Sequence, residues 1–488
     1  MSKRLVWFRN DLRLHAHAPL QQALSDGGPV TAIYCLCPDQ WDRHQVAPLR
    51  RWYVLKSLLE LGDALRDRGL DLHVLECDDF SSVPQALARL VEEQGISELY
   101  CNREYPLNEK NRDRSVARAL APLGVKLHGF DDGMLVPPDA LRTGKGTPYT
   151  VFGAYKRRWD QWLTERGCAE TPVPRWPGGK GQFVGRQRVT AALQSLPLED
   201  RLRDQWQAGE AAALQQLDHF VEHHLAAYHR QRDFPALHGT SALSAALSAG
   251  TLSPASCYRA AWQAMQDAGS REGAACWIGE LAWRDFYRQI MALFPRLSRG
   301  GAFRPETELL RWDDDAALFQ AWCEGRTGYP LVDAAMRQLV TTGWMHNRLR
   351  MLTAMFLSKH LWIDWRRGEA FFMQHLMDGD FAANNGGWQW SASTGTDAVP
   401  YFRVFSPVRQ SQRFDPDGTF IARFVPELAH LDNKTIHEPW KQPLLAPDYP
   451  PPCAPHAGVR ERVTERFKQA KAQYDATDHS SHSTQKES

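Results

Sequence analysis

The sequence predicts two domains of different class, an α/β domain with a doubly wound, five-stranded parallel sheet followed by an all-α domain. Up to about residue 130, short runs rich in β-branched and aromatic residues alternate with stretches of helical periodicity. Such alternation implies a parallel sheet with helices on both faces. From about residue 206 onward strand patterns nearly vanish, and apolar residues recur at helical spacing.

Five strands separated by helices account for the first domain, residues 1–130. The strands are predicted in "LVWF", "VTAIYCL", "DLHVLEC", "ELYCN" and "VKLHGF". Helices are predicted over residues 49–70, in "VPQALARLVEEQG" and in "NEKNRDRSVARALAPLG". The first strand runs directly into "RNDLRLH" without the glycine-rich turn of dinucleotide-binding folds, so a nicotinamide-dependent function is not supported.

The remaining boundaries follow from composition. Residues 131–205 are rich in proline and glycine, as in "TPVPRWPGGKGQ", and are predicted to form a long surface linker. Residues 206–470 carry the helical patterns, for example "GAACWIGELAWRDFYRQIMALF". The end of the chain, residues 471–488, includes "DATDHSSHSTQKES", which cannot bury a core, and a disordered tail is predicted there.

Charge and composition exclude several classes of protein. The formal net charge is +1 at pH 7 over 488 residues, so a nucleic-acid site, if present, is expected to be a local basic patch. The N-terminus is charged where a secretory signal needs an apolar run, and no membrane-spanning apolar stretch occurs, which predicts a cytoplasmic protein. The nine cysteines lack the spacing of a zinc site, so no metal is expected.

The stretch "CWIGELAWRDFYRQI" places unusual chemistry on one helix. Trp277, Glu280, Arg284 and Tyr287 recur at three- and four-residue steps, and Trp283 lies on an adjoining edge. Burying a carboxylate among aromatic rings costs free energy, which indicates a functional role for this glutamate unless a partner compensates its charge. The alternative is a core helix in which the glutamate pairs with an arginine.

The stretch "TGWMHNRLRMLTAMF" predicts a helix end at Gly343 and a new helix from Asn347. Asn347 and Met351 lie four residues apart on one face, where they can contact a planar ring, while Arg348 and Arg350 point elsewhere and can hold phosphates. The alternative is a solvated arginine face.

The segment "NNGGWQWSASTGTD" follows a helix predicted to end at Asp378-Gly379-Asp380. Its glycine pair permits close backbone approach of a rigid partner. Asp380 and Asn384 can supply an acceptor and a donor to a heterocycle such as an isoalloxazine ring. Residues two apart on a helix diverge by about 200°, so Trp388 and Trp390 are predicted to face different surroundings.

Upstream, Tyr228 precedes a turn at Thr240-Ser241 that is predicted to open a helix. Free backbone N–H groups and hydroxyls at such a start can seat a phosphate. An ordinary helix cap is the alternative.

Together these stretches resemble the photolyase/cryptochrome family, and within it the bacterial class I cyclobutane pyrimidine dimer photolyases. The resemblance runs from Leu5 to about Tyr449 and is carried by "LVWFRNDLRLH", "WIGELAWRDFYRQI", "TGYPLVDAAMRQLVTTGWMHNRLRM", "IDWRRGEAFFMQHLMDGDFAANNGGWQWSASTGTDAVPYFRVFSP" and "RFVPEL". It implies an N-terminal α/β antenna domain, a linker and a helical domain that binds FAD and DNA.

The resemblance also implies roles for individual residues. Arg350 would pair with Asp378, and Asn384 would lie opposite the flavin nitrogen that changes protonation on reduction. The implied FAD-binding residues are Tyr228, Thr240, Ser241, Ala242, Leu243, Ser244, Trp277, Arg284, Arg350, Asp378, Gly379, Asp380 and Asn384.

The implied reaction is light-driven repair of cyclobutane pyrimidine dimers in DNA. Excited, fully reduced FAD passes an electron to the flipped-out dimer, the cyclobutane ring splits, and the electron returns. Trp388, Trp365 and Trp312 would form an electron-transfer chain from the flavin to solvent, while Trp283 and Trp390 would flank the dimer. The implied lesion and DNA residues are Arg232, Glu280, Trp283, Tyr287, Asn347, Arg348, Met351, Trp390 and Arg403.

Rivals within and outside the family are separated by the same residues. The (6-4) photolyases carry a histidine pair at the lesion, whereas here Asn347 follows His346, and Asn384 is the photolyase type of residue at its position. A blue-light signalling flavoprotein and a helical FAD oxidoreductase are the alternatives from other classes. The expected protein is a cytoplasmic monomer that acts on damaged DNA.

An antenna cofactor is also implied. His44, Asn108 and Glu109 match positions that bind methenyltetrahydrofolate in folate-type relatives. Ser298-Arg299 stands where those relatives have a Cys-Lys pair, which leaves a deazaflavin or an empty antenna site as alternatives.

Overall fold

The computed structural model describes residues 3–168 and 174–484. Within these ranges one parallel sheet has the strand order β5-β4-β1-β2-β3-β6. Its strands are β1 (Lys3–Phe8), β2 (Val30–Leu36), β3 (Asp71–Glu76), β4 (Ile96–Asn102), β5 (Lys126–Phe130) and β6 (Phe183–Val184). The predicted strands are confirmed as β1 to β5, but the prediction of a five-stranded sheet is wrong. The sixth strand has two residues, too few to show an alternating pattern in sequence.

The chain divides by its internal contacts into two compact units. The first unit comprises Met1–Arg230, Thr240–Pro295 and Gln374–Asp380. The second unit comprises Gln231–Gly239, Arg296–Met373 and Phe381–Ser488. This division does not fall at the boundaries predicted near residues 130 and 205.

Helices are the main secondary structure of both units. The first unit contains, wholly or for the most part, thirteen of the described helices: α1 (Ala18–Ser25), α2 (Pro38–Arg43), α3 (Pro48–Arg66), α4 (Val83–Gln94), α5 (Leu107–Leu120), α6 (Phe152–Arg166), α7 (Arg186–Gln194), α8 (Asp200–Arg203), α9 (Glu210–His223), α10 (Tyr228–Gln231), α11 (Ser244–Ala249), α12 (Pro254–Ala264) and α13 (Arg271–Leu293). The second unit contains, wholly or for the most part, α14 (Ala316–Cys323), α15 (Pro330–Thr342), α16 (Asn347–Met355), a π-helical turn (Phe356–His360), α17 (Trp365–His375), α18 (Phe381–Ala392), α19 (Pro407–Phe414), α20 (Thr419–Phe424) and α21 (Val459–Thr484).

Helices cover both faces of the sheet. Strand β1 sends Val6 and Phe8 into one apolar core and Leu5 and Trp7 into another, because successive side chains of a strand point to opposite faces. Residues of α1 and α3 complete the first core, and residues of α4 and α5 complete the second. The predicted doubly wound arrangement is therefore confirmed.

The stretch predicted as a surface linker, residues 131–205, carries α6, α7, α8 and β6. Asp285 of α13 holds its first part in place. Its Oδ2 accepts hydrogen bonds from the backbone N–H of Leu135 at 2.9 Å and of Val136 at 3.1 Å, and from the indole Nε1 of Trp159 at 3.0 Å. One buried carboxylate thus ties the start of this stretch to a helix that follows it by more than a hundred residues.

The C-terminus also differs from prediction. A disordered tail is predicted over residues 471–488, whereas α21 continues to Thr484 and the last four residues lie outside the described ranges. Val459, Val463 and Phe467, spaced four apart, bury the first half of α21 beside Trp362. Once these turns are fixed, adding further helical residues costs little. Among the described helices, none has the length and apolarity needed to cross a membrane.

Candidate functional site

In the first unit, α13 carries the predicted row of aromatic and charged residues. Trp277 is buried, and its ring centroid lies 4.9 Å from that of Phe220 on α9. Phe220 also meets the buried ring of Tyr228 edge-on at 5.8 Å. Two of the residues predicted to contact FAD therefore share one aromatic neighbour that the sequence reasoning missed.

Arg288, one helical turn beyond Arg284, was also missed, although its i+4 spacing places it on the same face of α13. Its Nη2 donates to Oδ2 of Asp380 at 2.7 Å. Burial acts to lower the pKa of Arg288, but the adjacent Asp380 carboxylate outweighs it, so the pKa is raised above its ordinary value.

Arg284 has no such close carboxylate. It donates to the backbone oxygens of Gly133 at 2.7 Å and Leu247 at 3.3 Å, while Oδ1 of Asp285 lies 3.8 Å from its Nη1. Burial, reinforced by the positive charge of Arg288, lowers the pKa of Arg284 to about 10. Its positive charge is therefore incompletely balanced by the protein.

Arg50 on α3 has a similar environment. Its Nη1 donates to Oγ of Ser248 at 2.7 Å, and burial lowers its pKa even though Asp380 and Asp378 act in the opposite direction. Burial thus lowers the pKa of both Arg50 and Arg284, although Asp380 acts on each in the opposite direction. An anionic group, such as the phosphates of a dinucleotide or an anionic flavin ring, fits this set of donors.

The loop before α11 differs in detail from prediction. The helix begins at Ser244 and not at the Thr240-Ser241 turn. Ala242 has φ +51°, a left-handed conformation that is unfavourable for a residue with a Cβ and that recurs at ligand-binding loops. Nε2 of Gln216 donates to the backbone oxygen of Ser241 at 3.0 Å and supports the bend.

Trp283 lies in an aromatic stack. Phe152 of α6 is parallel to it at a centroid distance of 3.5 Å, and Tyr287 stacks at 5.5 Å. Glu280 lies one turn earlier on α13 and is partly exposed. Phe286 meets Trp283 edge-on at 5.8 Å, so Trp283 has three ring neighbours, and Phe152 already covers the ring face on which it stacks. Phe152 was missed because its segment reads as linker.

In the second unit, α18 begins at Phe381 and carries the segment with the paired asparagines and glycines. Nδ2 of Asn384 donates to the backbone oxygen of Glu369 at 3.0 Å, which leaves the Oδ1 of this amide available as an acceptor. The Glu369 carboxyl accepts from Nδ2 of Asn385 at 2.8 Å, and burial raises the pKa of Glu369 to about 7. Glu369 was missed, although a glutamate inside the apolar stretch "GEAFF" is a visible signal.

Trp388 is 2% exposed, whereas Trp390 is partly exposed. The predicted divergence of the two tryptophans is confirmed. Phe372 meets the Trp388 ring edge-on at 4.9 Å, and a Cβ at Gly368 would overlap that ring, so a glycine is needed on α17 where the indole packs. In the described part of the chain Nε1 of Trp388 has no hydrogen-bond partner.

The other two tryptophans of the predicted chain differ in exposure. Trp365 is fully buried, with the guanidinium of Arg366 4.8 Å from its ring centroid. Trp312 is partly exposed and packs against Trp362 at 4.9 Å. Burial therefore decreases from Trp388 and Trp365 to Trp312, the order expected for a path that ends at solvent. Trp362 was missed.

Helix α16 begins at Asn347, as predicted, after Gly343 ends α15 in a left-handed conformation. Nδ1 of His346 accepts from the backbone N–H of Arg348 at 3.2 Å and caps the helix. Asn347 is exposed and Met351 partly exposed.

The arginines predicted to meet DNA phosphates differ in their pairing. Nη2 of Arg348 lies 2.7 Å from Oδ1 of Asp233, and its guanidinium stacks over Phe414. Nε of Arg232 lies 4.0 Å from the same carboxylate oxygen. The side chain of Arg403 is exposed. Of the three, Arg403 is therefore the most available to a phosphate.

The antenna residues lie in the first unit. Nδ2 of Asn108 and Nε2 of His44 are 3.1 Å apart, so two of the three predicted residues come together. The third, Glu109, follows Asn108 at the start of α5, and burial together with the nearby Glu104 raises its pKa to about 7.

The predicted FAD and lesion residues are divided between the two units, and their assembly into one site stays a prediction, as does the pair Arg350–Asp378. The first unit holds Tyr228, residues 240–244, Trp277, Glu280, Trp283, Arg284, Tyr287 and residues 378–380. The second holds Arg232, Asn347, Arg348, Arg350, Met351, Asn384, Trp388, Trp390 and Arg403. Within residues 3–168 and 174–484 no cluster of three or more metal-ligating side chains occurs.

The fold and the donor set define a protein with a helical unit and an α/β unit, and the buried arginines of the α/β unit suit an anionic, ring-containing cofactor. Residues 4–177 match the family model described as DNA photolyase, and residues 277–469 match that of the FAD binding domain of DNA photolyase. The chain belongs to the DNA photolyase family.

Relatives that match nearly the whole chain support the same family. The deoxyribodipyrimidine photo-lyase of Escherichia coli is 41% identical to this chain over 477 residues, which cover 96% of this chain and 99% of the relative. That of Vibrio cholerae is 41% identical over 479 residues, which cover 96% of this chain and 100% of the relative. A bacterial class III photolyase from Agrobacterium tumefaciens superposes with a TM-score of 0.84 at 33% identity, covering 97% of this chain and 98% of that one.

Proposed function

We propose that this chain is a carbon–carbon lyase that repairs cyclobutane pyrimidine dimers in DNA with light. When bound, FAD in its reduced anionic form would supply an excited-state electron that opens the cyclobutane ring and then returns to the flavin. The observation that carries the proposal is the set of buried arginines in the first unit, where Arg50 bonds Ser248, Arg284 bonds the backbone oxygens of Gly133 and Leu247, and Arg288 bonds Asp380, in a member of the DNA photolyase family.

The chain's own residues hold and orient the cofactor. Arg284 and the bent loop around Ala242 provide positive charge and backbone donors suited to phosphates. Asp380, fixed by Arg288, supplies acceptors for ribityl hydroxyls or ring N–H groups. The amide oxygen of Asn384 is oriented by the Glu369 carbonyl and can accept from a protonated flavin nitrogen.

Trp388, Trp365 and Trp312 carry electrons between the flavin and solvent. Indole rings are readily oxidised and can be packed in near contact through a helical unit. The burial of Trp388 and Trp365 excludes water from the inner part of this path, and the partial exposure of Trp312 opens its outer end.

The lesion is held by residues that remain accessible. Trp390 and Trp283 contact the flipped bases, Glu280 and Asn347 bond their edges, and Met351 packs beside them. Arg403 and Arg232 bind the flanking phosphates, and Tyr287 supports Trp283. The protein acts on damaged DNA as a monomer in the cytoplasm.

The antenna is methenyltetrahydrofolate, bound at His44, Asn108 and Glu109. The contact between His44 and Asn108 supports this assignment, and the raised pKa of Glu109 lets its protonated carboxyl donate a hydrogen bond near neutral pH. Extraction of a folate chromophore from the wild type, and its loss from Asn108→Ala with FAD retained, are expected. A chromophore with a deazaflavin spectrum would contradict the assignment.

The decisive experiment uses purified protein that has been chemically reduced. It is mixed with an oligonucleotide containing one thymine dimer and illuminated with near-ultraviolet light, and restored thymines are counted by chromatography. We expect restoration that depends on light and on reduced flavin. A flavin-containing protein that restores no thymines would contradict the proposal and favour the signalling alternative.

A further inference from the structure

Lys359 is a buried cation in the second unit. It lies in the π-helical turn after α16 and is 1% exposed. Its Nζ donates to Oγ of Ser393 at 2.9 Å, to the backbone oxygen of Arg403 at 3.0 Å and to that of Tyr401 at 3.4 Å. No carboxylate in the described ranges forms an ion pair with it. Burial lowers the pKa of Lys359 to about 7.

The three acceptors belong to one segment, residues 393–403, which leaves the C-terminal end of α18. Ser393 stands at its start and Arg403 at its end, so a single ammonium group joins the two ends of a loop. Fixing both ends of a flexible segment removes much of its conformational freedom. The backbone is already constrained, because Ser393 and Asp397 adopt positive φ angles of 65° and 44°.

The far end of this loop is also accessible. Phe402 is 48% exposed and Arg403 is exposed, while the backbone oxygen of Arg403 is held by Lys359. Because Lys359 holds the backbone of Arg403, the exposed guanidinium of Arg403 can bind a phosphate with little further loss of conformational entropy. An ammonium is costly to bury unless its donors are satisfied, and here the loop satisfies them.

We propose that Lys359 is a positioning residue for DNA binding, whose ammonium closes residues 393–403 into a fixed loop that presents Arg403 to the DNA backbone. This inference rests on the proposed function. Lys359 touches neither DNA nor cofactor in this role and acts through the loop alone.

The test variant is Lys359→Met, which keeps an unbranched side chain and removes all three donors. Binding to duplex DNA containing a thymine dimer is measured in the dark over a range of salt concentrations. The dissociation constant is expected to rise about tenfold, and the slope of log K against log salt is expected to fall by about 0.9, the contribution of one phosphate contact. Repair per bound complex at saturating DNA, and photoreduction, are expected to stay unchanged.

The matched control is Ser358→Ala at the preceding position. Ser358 is also buried, but its hydroxyl bonds only within the helix, to the backbone oxygen of Ala354 at 2.8 Å. DNA binding by this variant is expected to match the wild type. A loss equal to that of Lys359→Met would mean general damage to the turn and would overturn the proposal.

A double variant tests the route of action. If Lys359 acts by presenting Arg403, adding Lys359→Met to Arg403→Ala produces little further loss of affinity or salt slope. Full additivity would overturn the proposal. If Lys359→Met does not fold, Ser393→Ala removes one acceptor, and a dissociation constant equal to the wild type's would count against the loop's role.

The outcome separates this inference from the proposed function. Wild-type protein that repairs dimers, together with a Lys359→Met variant that binds DNA normally, overturns the inference and leaves the function standing. Wild-type protein that repairs nothing overturns both.

Discussion

Arg288 and Asp380 form an ion pair of 2.7 Å that joins the 23-residue helix α13 to the short segment 378–380. Each side chain is 18% exposed, so water compensates little if one partner is removed. The pair fixes a carboxylate predicted to serve the flavin, while the neighbouring Arg284 keeps its donors for backbone oxygens and an anion.

Replacing Arg288 tests this pair. Arg288→Met removes the 2.7 Å ion pair with Asp380 and is expected to destabilise the protein by about 3–5 kcal/mol and to lower bound flavin, measured by thermal unfolding and by absorbance. Adding Asp380→Asn is expected to restore part of the stability. The control Arg103→Met breaks an exposed pair with Asp131 and is expected to cost less than about 1 kcal/mol. Equal losses in the two variants would contradict the argument.

Gly368→Ala tests the packing of Trp388. The added Cβ overlaps the indole, so the ring must shift, and slower photoreduction is expected together with a destabilisation of about 1–3 kcal/mol. Gly279→Ala on α13 meets no atom within 4 Å and is expected to leave stability unchanged or to raise it by up to about 1 kcal/mol. Normal photoreduction in Gly368→Ala would show that the ring position is unimportant.

The two tryptophans of α18 are expected to have separable roles. Trp388→Phe should abolish or greatly slow photoreduction by an external reductant while lesion binding persists. Trp390→Ala should weaken lesion binding while photoreduction persists. Transient absorption and a binding assay on both variants check this, and the same defect in both would refute the division of labour.

His346 makes stability depend on pH. Burial lowers its pKa from 6.5 to about 4, with Asp233 acting in the opposite direction. Between pH 4 and pH 6.5 the unfolded chain therefore binds a proton at His346 more readily than the folded protein does. The contribution of His346 to the free energy of unfolding is fully present above pH 6.5 and falls by up to about 3 kcal/mol as the pH is lowered to 4. His346→Asn keeps a capping acceptor and is expected to reduce this decline. Thermal unfolding of both proteins at pH 5 and pH 7.5 measures it, and parallel shifts would exclude His346 as the cause.

Salt dependence distinguishes the arginines. Arg403→Ala is expected to lower the slope of log K against log salt by about 0.9, because an exposed cation that neutralises one phosphate is lost. Arg348→Ala is expected to change the slope less, since Asp233 already balances its charge. Titrations at several salt concentrations check this, and a larger effect of Arg348 would mean that its pair with Asp233 opens when DNA binds.

Local pattern was enough to predict the strands β1 to β5, the glycine end of α15 and the start of α16 at Asn347, because alternation and capping are encoded by neighbouring residues. It was also enough to separate Trp388 from Trp390, since their angular offset is a property of the helix itself. The resemblance to a family then pointed to roles for individual residues.

Tertiary contacts decided what local pattern could not. The supposed linker is held by Asp285, which bonds Leu135, Val136 and Trp159 from more than a hundred residues away. Phe152 likewise stacks on Trp283, which follows it by more than a hundred residues. Partners at such separations leave no periodic trace in the sequence.

The sequence by itself determined the fold class, the helical faces and the residue types available for flavin and DNA, because these depend on spacing along the chain. Only the tertiary structure decided which charges are balanced. Arg288 is paired with Asp380, Arg284 is not closely paired, and Lys359 is satisfied by a loop, since burial and distance set the electrostatic energy of each group.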